Sequence, residues 1–208
     1  MITLDRDGGL WTVTLNRPDK VNALTPDMLH ELATIAEAAQ DGARALILTG
    51  TGRVFSAGAD LEAARAGLAT DPVWERLSGA IAAHPGLTVA ALNGTVAGGA
   101  MGMVLACDLR LAVPDAKAFY PVMRLGFLPQ PSDPGRLAAL VGPARARLLL
   151  MGGVRATAEE ALSWGLFDRI IAPDALMDAA RALTTDTLNA TPDHATAIKA
   201  MCRKNPAG

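Results

Sequence analysis

Asn93-Gly94-Thr95-Val96-Ala97-Gly98-Gly99-Ala100-Met101-Gly102-Met103-Val104-Leu105-Ala106-Cys107-Asp108 is the stretch around which the chain is organised. The residues before it, Leu87 to Leu92, form a short apolar run with β-branching, the pattern of a buried strand. Asn93-Gly94 is expected to end that strand, since both residue types tolerate positive φ. Gly98-Gly99 then opens a second apolar segment, Ala100 to Cys107, of a length that suits a buried helix. A strand, a glycine turn and a helix start leave free backbone N–H groups at a helix N-terminus, where negative charge is stabilised. Glycine also lets a ligand approach the main chain closely. The same residues equally fit a tight packing turn in an α/β core.

The rest of the composition narrows the class. With 208 residues, half of them hydrophobic, the chain suits a single domain with a sizeable core, alone or with a small appendage. The net charge of −2 and the lack of any Lys/Arg-rich run argue against nucleic acid as a partner. The charged N-terminus lacks the apolar run of a signal peptide. The segment from Pro85 to Cys107 is free of charge and long enough to raise the question of a membrane span. Its Asn-Gly turn, its glycines and its flanking proline argue for a folded core instead. Cys107 and Cys202 have no metal-ligand spacing, so no metal is expected, and a reducing, cytoplasmic location follows.

Along the chain, Ile2 to Asp7 and Leu10 to Leu15 read as a hairpin around Gly8-Gly9. Asn16 to Lys20 reads as a loop. Thr25-Pro26-Asp27 opens a helix, with Thr25 at the cap and Pro26 at the first helical position. Ala45 to Thr49 reads as a strand, and Gly50 to Asp60 as a long glycine-bearing loop. A helix follows Asp71-Pro72. Leu109 to Val113 is a strand, and Pro114 to Pro131 reads as loop. Arg136 to Met151 is helical with a break at Gly142-Pro143. Thr157 to Glu160 is a capping box opening a further helix. Asp168 to Ile171 is a short strand. Pro173 to Asn189 and Pro192 to Lys204 are terminal helices. Strands alternating with helices give an α/β fold.

Two loops then carry weight together: Ser56-Ala57-Gly58-Ala59-Asp60-Leu61 and the stretch from Asn93 to Asp108. Together they resemble the crotonase superfamily, the enoyl-CoA hydratase/isomerase family. Leu15-Asn16-Arg17-Pro18, Asn22-Ala23-Leu24, Leu48-Thr49-Gly50 and Thr157 to Leu166 look like the same family, in the same order. The resemblance implies a crotonase (ClpP-like) spiral of repeated ββα units. It places the acyl-CoA core in residues 1–173 and a shortened helical segment, used for oligomerisation, in residues 174–208. It also implies a homotrimer or a dimer of trimers.

The chemistry implied by the resemblance is an oxyanion hole for an acyl-CoA thioester, made by the backbone N–H groups of Ala59 and Gly99. Fixed donors there would stabilise the enolate-like charge that forms on the thioester oxygen. Val21, Ala23, Ser56, Ala57, Asp60 and Leu61 match positions that touch the CoA adenine and pantetheine, mainly by main-chain groups, and Gly98 is a further substrate-binding position. No separate cofactor is expected, coenzyme A being part of the substrate. Family members often carry Lys where this chain has Glu62; Arg17, Lys20 and Arg53 are the candidates to replace it against phosphate.

Hydratases of this family place one glutamate three residues after the oxyanion-hole glycine and another after the proline of a Phe-x-x-Pro-Glu-like pattern. Those positions hold Gly102 and Val122 here, and neither can move a proton. Ordinary two-glutamate hydration is therefore not expected. Asp133 is the leading replacement acid/base; its other reading is a cap for a helix starting at Pro134. Tyr120 is either a hydrogen-bond donor at the site or a packed ring with a satisfied hydroxyl. Arg124 reads as a surface charge, an ion pair or a carboxylate anchor. His30, His84 and His194 match no catalytic position. Asp60 and Asp108 read as structural. Two functional classes remain: an atypical acyl-CoA lyase, isomerase or hydrolase, and a crotonase-fold protein that binds acyl-CoA without turnover.

Overall fold

A computed structural model gives the arrangement of residues 1–203. Strands β1 (Ile2–Asp7) and β2 (Leu10–Leu15) form the expected hairpin, with Asp7 opposite Leu10. A short 3-10 turn at Pro18–Lys20 occupies the first expected loop. Helix α1 (Pro26–Gly42) starts as its sequence demands: the Thr25 hydroxyl accepts from the Met28 N–H, and Pro26 needs no acceptor. Its buried face carries Met28, Leu29, Leu32, Ala33, Ala36 and Ala39 at helical spacing.

The core is then built by a repeated unit of two strands and helix. The first unit is β3 (Ala45–Gly50), β4 (Val54–Ser56), α2 (Leu61–Arg65) and α3 (Val73–Ala83). The second is β5 (Leu87–Leu92), β6 (Thr95–Ala97) and α4 (Ala100–Ala106). The third is β7 (Leu109–Ala112), β8 (Lys117–Phe119), α5 (Val122–Leu125), α6 (Asp133–Val141) and α7 (Pro143–Leu150). After these come β9 (Ala156–Thr157), α8 (Ala158–Trp164) behind its capping box, β10 (Arg169–Ile170), α9 (Leu176–Asn189) and α10 (Pro192–Arg203). Lys204, the expected end of the last helix, lies outside the described residues.

The first strand of each unit joins one sheet, in the order β1-β2-β3-β5-β7-β10; the second joins another, in the order β4-β6-β8-β9. Beyond the first hairpin the large sheet is parallel. Parallel strands are covered on both faces, which is why β3 and β5 read as unbroken apolar runs. α1 packs on α3 and α3 on α4, while α9 lies against β3, β5 and β7 and buries Leu176, Ala180 and Thr184. No helix among the described residues is long and apolar enough to cross a membrane, and the charge-free run from Pro85 is β5, β6 and α4.

Three expectations need correction. Val54–Ser56, Thr95–Ala97 and Lys117–Phe119 were expected as loop or turn, yet each is a strand of the second sheet. Three residues are too few for a two-residue period to register, and only the neighbouring strands supply their hydrogen bonds. Asn93-Gly94 does not turn the chain through positive φ; among the described residues Val21 (φ 48°) and Asn22 (φ 53°) are the non-glycine positions that do so. Gly94 is required by proximity instead, because a Cβ there would overlap the Arg53 carbonyl. The helix after Pro131 starts at Asp133 rather than Arg136, and the Asp133 side chain does not cap it.

Candidate active site

The two glycine loops meet. A Cβ on Gly58 (φ 92°) would lie 2.8 Å from the Ala97 carbonyl oxygen and 3.4 Å from the Gly99 nitrogen, so the contact requires glycine. The first loop is held from below by a parallel bridge between Leu24 and Ala59: the Leu24 N–H donates to the Gly58 carbonyl, and the Asp60 N–H to the Leu24 carbonyl. Ala59 is thereby turned so that its own N–H faces away from that bridge. Gly99 stands at the N-cap of α4, ahead of the first helical hydrogen bonds. Among the described residues neither the Ala59 nor the Gly99 N–H has a main-chain acceptor.

Both residues line one cavity of about 300 Å³. Its walls include Ala57, Leu61, Trp74, Gly98, Phe119, Tyr120, Val122, Phe127, Leu128 and Gln130, and Arg65 is the one charged residue among its lining. Leu61 and Leu128 are 74% and 85% exposed, so the mouth presents apolar side chains to solvent. The side chains of the other positions named from the first loop hold the loop itself. The buried Ser56 hydroxyl donates to the Asn22 carbonyl and accepts from the Gly58 N–H. The Asp60 carboxylate accepts from Arg17 at 2.9 Å and from the Glu62 and Ala63 N–H groups, capping α2. The Arg17 guanidinium holds the Asp60 carboxyl below its usual range. Val21 and Ala23 do not reach the cavity wall; Val21 accepts from the Ala57 N–H through its carbonyl. Arg17 is thus committed to Asp60 and the Ala23 carbonyl, whereas Lys20 and Arg53 are exposed.

Asp133 is brought beside Gly102. A Cβ on Gly102 would lie 3.0 and 3.2 Å from the two Asp133 carboxylate oxygens, so the absent side chain makes the room that the carboxylate fills. The Tyr120 hydroxyl donates to Asp133 Oδ2 at 2.8 Å and accepts from the Gln130 N–H at 3.4 Å. Asp133 Oδ1 is buried with no hydrogen-bond partner. Asp133 and Tyr120 are 1% and 3% exposed, but only Tyr120 contributes to the cavity wall. The expected capping role fails because of the preceding residue: the Ser132 N–H and hydroxyl both donate to Glu75, at 3.0 and 2.6 Å, which pins the turn to α3 and aims Asp133 inward.

Burial pushes the Asp133 carboxyl up to about 6 from an ordinary 3.8, against the opposing Tyr120 hydrogen bond and the Arg136 charge. Folding therefore favours the protonated carboxyl. That stabilisation is complete below about pH 4 and is lost as pH rises through 6, for a total on the order of 3 kcal/mol. Asp133→Asn is expected to gain stability on the wild type as pH rises from 4.5 to 7.5, measured by denaturant unfolding. An equal difference between variant and wild type at both pH values would contradict this.

The remaining candidates lie elsewhere. Val122 lines the cavity and offers no titratable group, and Arg124 is exposed. His30 and His194 are exposed, while His84 is buried with Nδ1 accepting from the Gly86 N–H and its pKa lowered by burial. Asp108 is structural as expected: Oδ2 accepts from the Thr88 N–H and hydroxyl and pairs with Lys199 at 2.6 Å. The Cys107 thiol is buried and pushed up to about 12, so it is no nucleophile. Among the described residues no group of three His, Cys, Asp or Glu can hold a metal ion. Trp74 and Glu75 went unmarked in the sequence: both stand on α3, and only packing brings them to the site.

The family model for enoyl-CoA hydratase/isomerase matches residues 5–206. The chain belongs to this family. It is 36% identical over 210 residues to a carnitinyl-CoA dehydratase of Citrobacter koseri, covering 95% of this chain and 78% of that one. It is 32% identical over 203 residues to a short-chain-enoyl-CoA hydratase of Clostridium acetobutylicum, covering 92% and 76%. The crystal structure of an enoyl-CoA hydratase from Bacillus anthracis superposes with a TM-score of 0.89 at 29% identity, covering 97% of this chain and 82% of that one. The α/β crotonase fold expected from the two loops is thus the fold of this enoyl-CoA hydratase/isomerase family member.

Proposed function

We propose that this protein binds an acyl-CoA thioester with an apolar acyl group and stabilises its enolate oxygen through the Ala59 and Gly99 N–H groups. The observation that carries the reading is the pair of backbone donors without main-chain acceptors on one wall of an apolar cavity. The helix behind Gly99 adds a favourable dipole for negative charge. Ala57, Leu61 and Gly98 line the same cavity and would contact substrate; Ser56 and Asp60 would act by holding the loop. Chemistry by the usual glutamate pair is not proposed, since positions 102 and 122 carry Gly and Val. Tyr120 and Asp133 are the groups available for proton transfer, in an enzyme of lyase, isomerase or hydrolase type.

Calorimetric titration with saturated thioesters from acetyl-CoA to dodecanoyl-CoA tests this. Saturable binding that strengthens with acyl length supports an apolar acyl site. No binding by any member of the series would sink the proposal. A second reading, acyl-CoA binding without turnover, is favoured by the absence of Asp133 from the cavity wall. It predicts the same titrations but no product from crotonyl-, malonyl- or β-ketoacyl-CoA. The family resemblance adds a homotrimer or dimer of trimers in the cytoplasm, for which the exposed Ile198 and Met201 of α10 are available apolar surface.

A further inference from the structure

Asp133 and Tyr120 are not equivalent. Asp133 is not part of the cavity wall, whereas Tyr120, which hydrogen-bonds it, is. Gln130, whose N–H is 3.4 Å from the Tyr120 hydroxyl, also lines the cavity, so both partners of that contact belong to the cavity wall. Gln130 is itself tied by its amide to the Ala69 carbonyl at 3.0 Å, and Glu75 fixes the turn before Asp133 through Ser132. The pair is therefore held from two elements. Its single hydrogen bond leaves Asp133 Oδ1 without a partner.

We infer that the Tyr120 hydroxyl is the group that exchanges a proton with the α-carbon of the bound thioester, and that Asp133 is a positioning residue which takes up or returns the phenol proton. This rests on the acyl-CoA reading above. In the forward step the Cα–H bond breaks and its proton joins the Tyr120 oxygen. The phenolic proton passes to Asp133 Oδ2. The C–H electron pair becomes the enolate charge on the thioester oxygen, held by the two backbone donors. The protons on the pair exchange with solvent before the reverse step, which re-forms the C–H bond and leaves Asp133 ionised. One proton moves at one carbon, and no water is activated.

The electrostatics agree with a relay. Burial and the neighbouring carboxylate push the Tyr120 phenol above its usual range, so a free phenolate is disfavoured and the proton must move in concert with Asp133. The charged groups acting on Asp133 are Glu75 from α3, which raises it, and Arg136 on α6, which lowers it. Ionised Asp133 is the competent form for abstraction, so exchange rises with pH through about 6 and then levels.

The test is α-hydrogen exchange of butyryl-CoA in heavy water, read by mass spectrometry, with binding measured in parallel by calorimetry. Wild type is expected to incorporate deuterium with that pH profile. Tyr120→Phe is expected to bind butyryl-CoA but lose about 100-fold or more in exchange. Asp133→Asn is expected to bind, to exchange at a similarly reduced rate and to lose the rise near pH 6, which a purely structural role would not remove. Should Asp133→Asn fail to fold, the wild-type pH profile decides the point. Wild-type binding without exchange, or full exchange in a binding Tyr120→Phe, overturns the relay while leaving the acyl-CoA reading intact. Absence of wild-type binding overturns both.

Discussion

Gly99→Pro is expected to reduce thioester affinity about tenfold and turnover by about 10²–10³ relative to Gly99→Ala. The comparison with alanine is essential. A Cβ at position 99 would lie 2.9–3.1 Å from the Trp74 ring, which is held in place by its indole N–H donating to the Leu68 carbonyl at 2.7 Å. Both substitutions therefore displace Trp74 to a similar degree. Only proline also removes the N–H. The backbone at Gly99 has φ −58°, within the range of a proline ring, while Gly98 before it stands at φ 57°, so folding of the proline variant is checked separately. Equal losses in the two variants, each confirmed as folded by thermal melting, would show that the Gly99 N–H does not contact the thioester. The measurement is calorimetry for affinity and initial rate for any acyl-CoA that is turned over.

Gly94→Ala is expected to cost about 3 kcal/mol of stability, or about 10 °C in Tm. The new Cβ would overlap the Arg53 carbonyl and stand 3.0 Å from the Val54 Cα. These are backbone atoms at the start of β4, which is paired with β6 from Val54 to Thr95, so no flexible side chain can yield. Gly79→Ala provides the opposite case. Gly79 lies within α3 with nothing within 4 Å of a built Cβ, and alanine there is expected to stabilise by about 0.5–1 kcal/mol. Thermal or denaturant unfolding of the two variants would show opposite signs; a Gly94→Ala protein as stable as wild type would contradict the packing account. Glycine has two uses here: Gly94 is needed for closeness and Gly98 (φ 57°) for its backbone angle.

Long, one-faced elements were legible because their signals are local. Thr25-Pro26 and the Thr157–Glu160 capping box fix helix starts through hydrogen bonds within four residues. The apolar runs of β3 and β5 announce strands buried on both faces. β4, β6 and β8 were not legible. Each is three residues long, and its hydrogen bonds are made to segments some forty or twenty residues away in sequence, so nothing local marks it. The second sheet of the spiral therefore entered through the family resemblance rather than through residue pattern.

The site divides along the same line. By itself the sequence marked the Gly98-Gly99 helix start as a place for free backbone N–H groups, because glycine content and helix caps are properties of adjacent residues, while the donor from the Ser56–Leu61 loop entered through the family resemblance. It also determined that positions 102 and 122 carry no carboxylate. Only the tertiary structure decided where Asp133 goes. Its neighbours Ser132 and Pro134 spell a helix cap, and a local rule can read nothing else. Yet Glu75, on another helix, takes the Ser132 donors, and Gly102, on a third, vacates the volume that the carboxylate enters. Tyr120, in the segment after β8, is brought against it by packing. A side chain's direction depends on which space its distant neighbours leave unfilled, and that is fixed only when the elements pack.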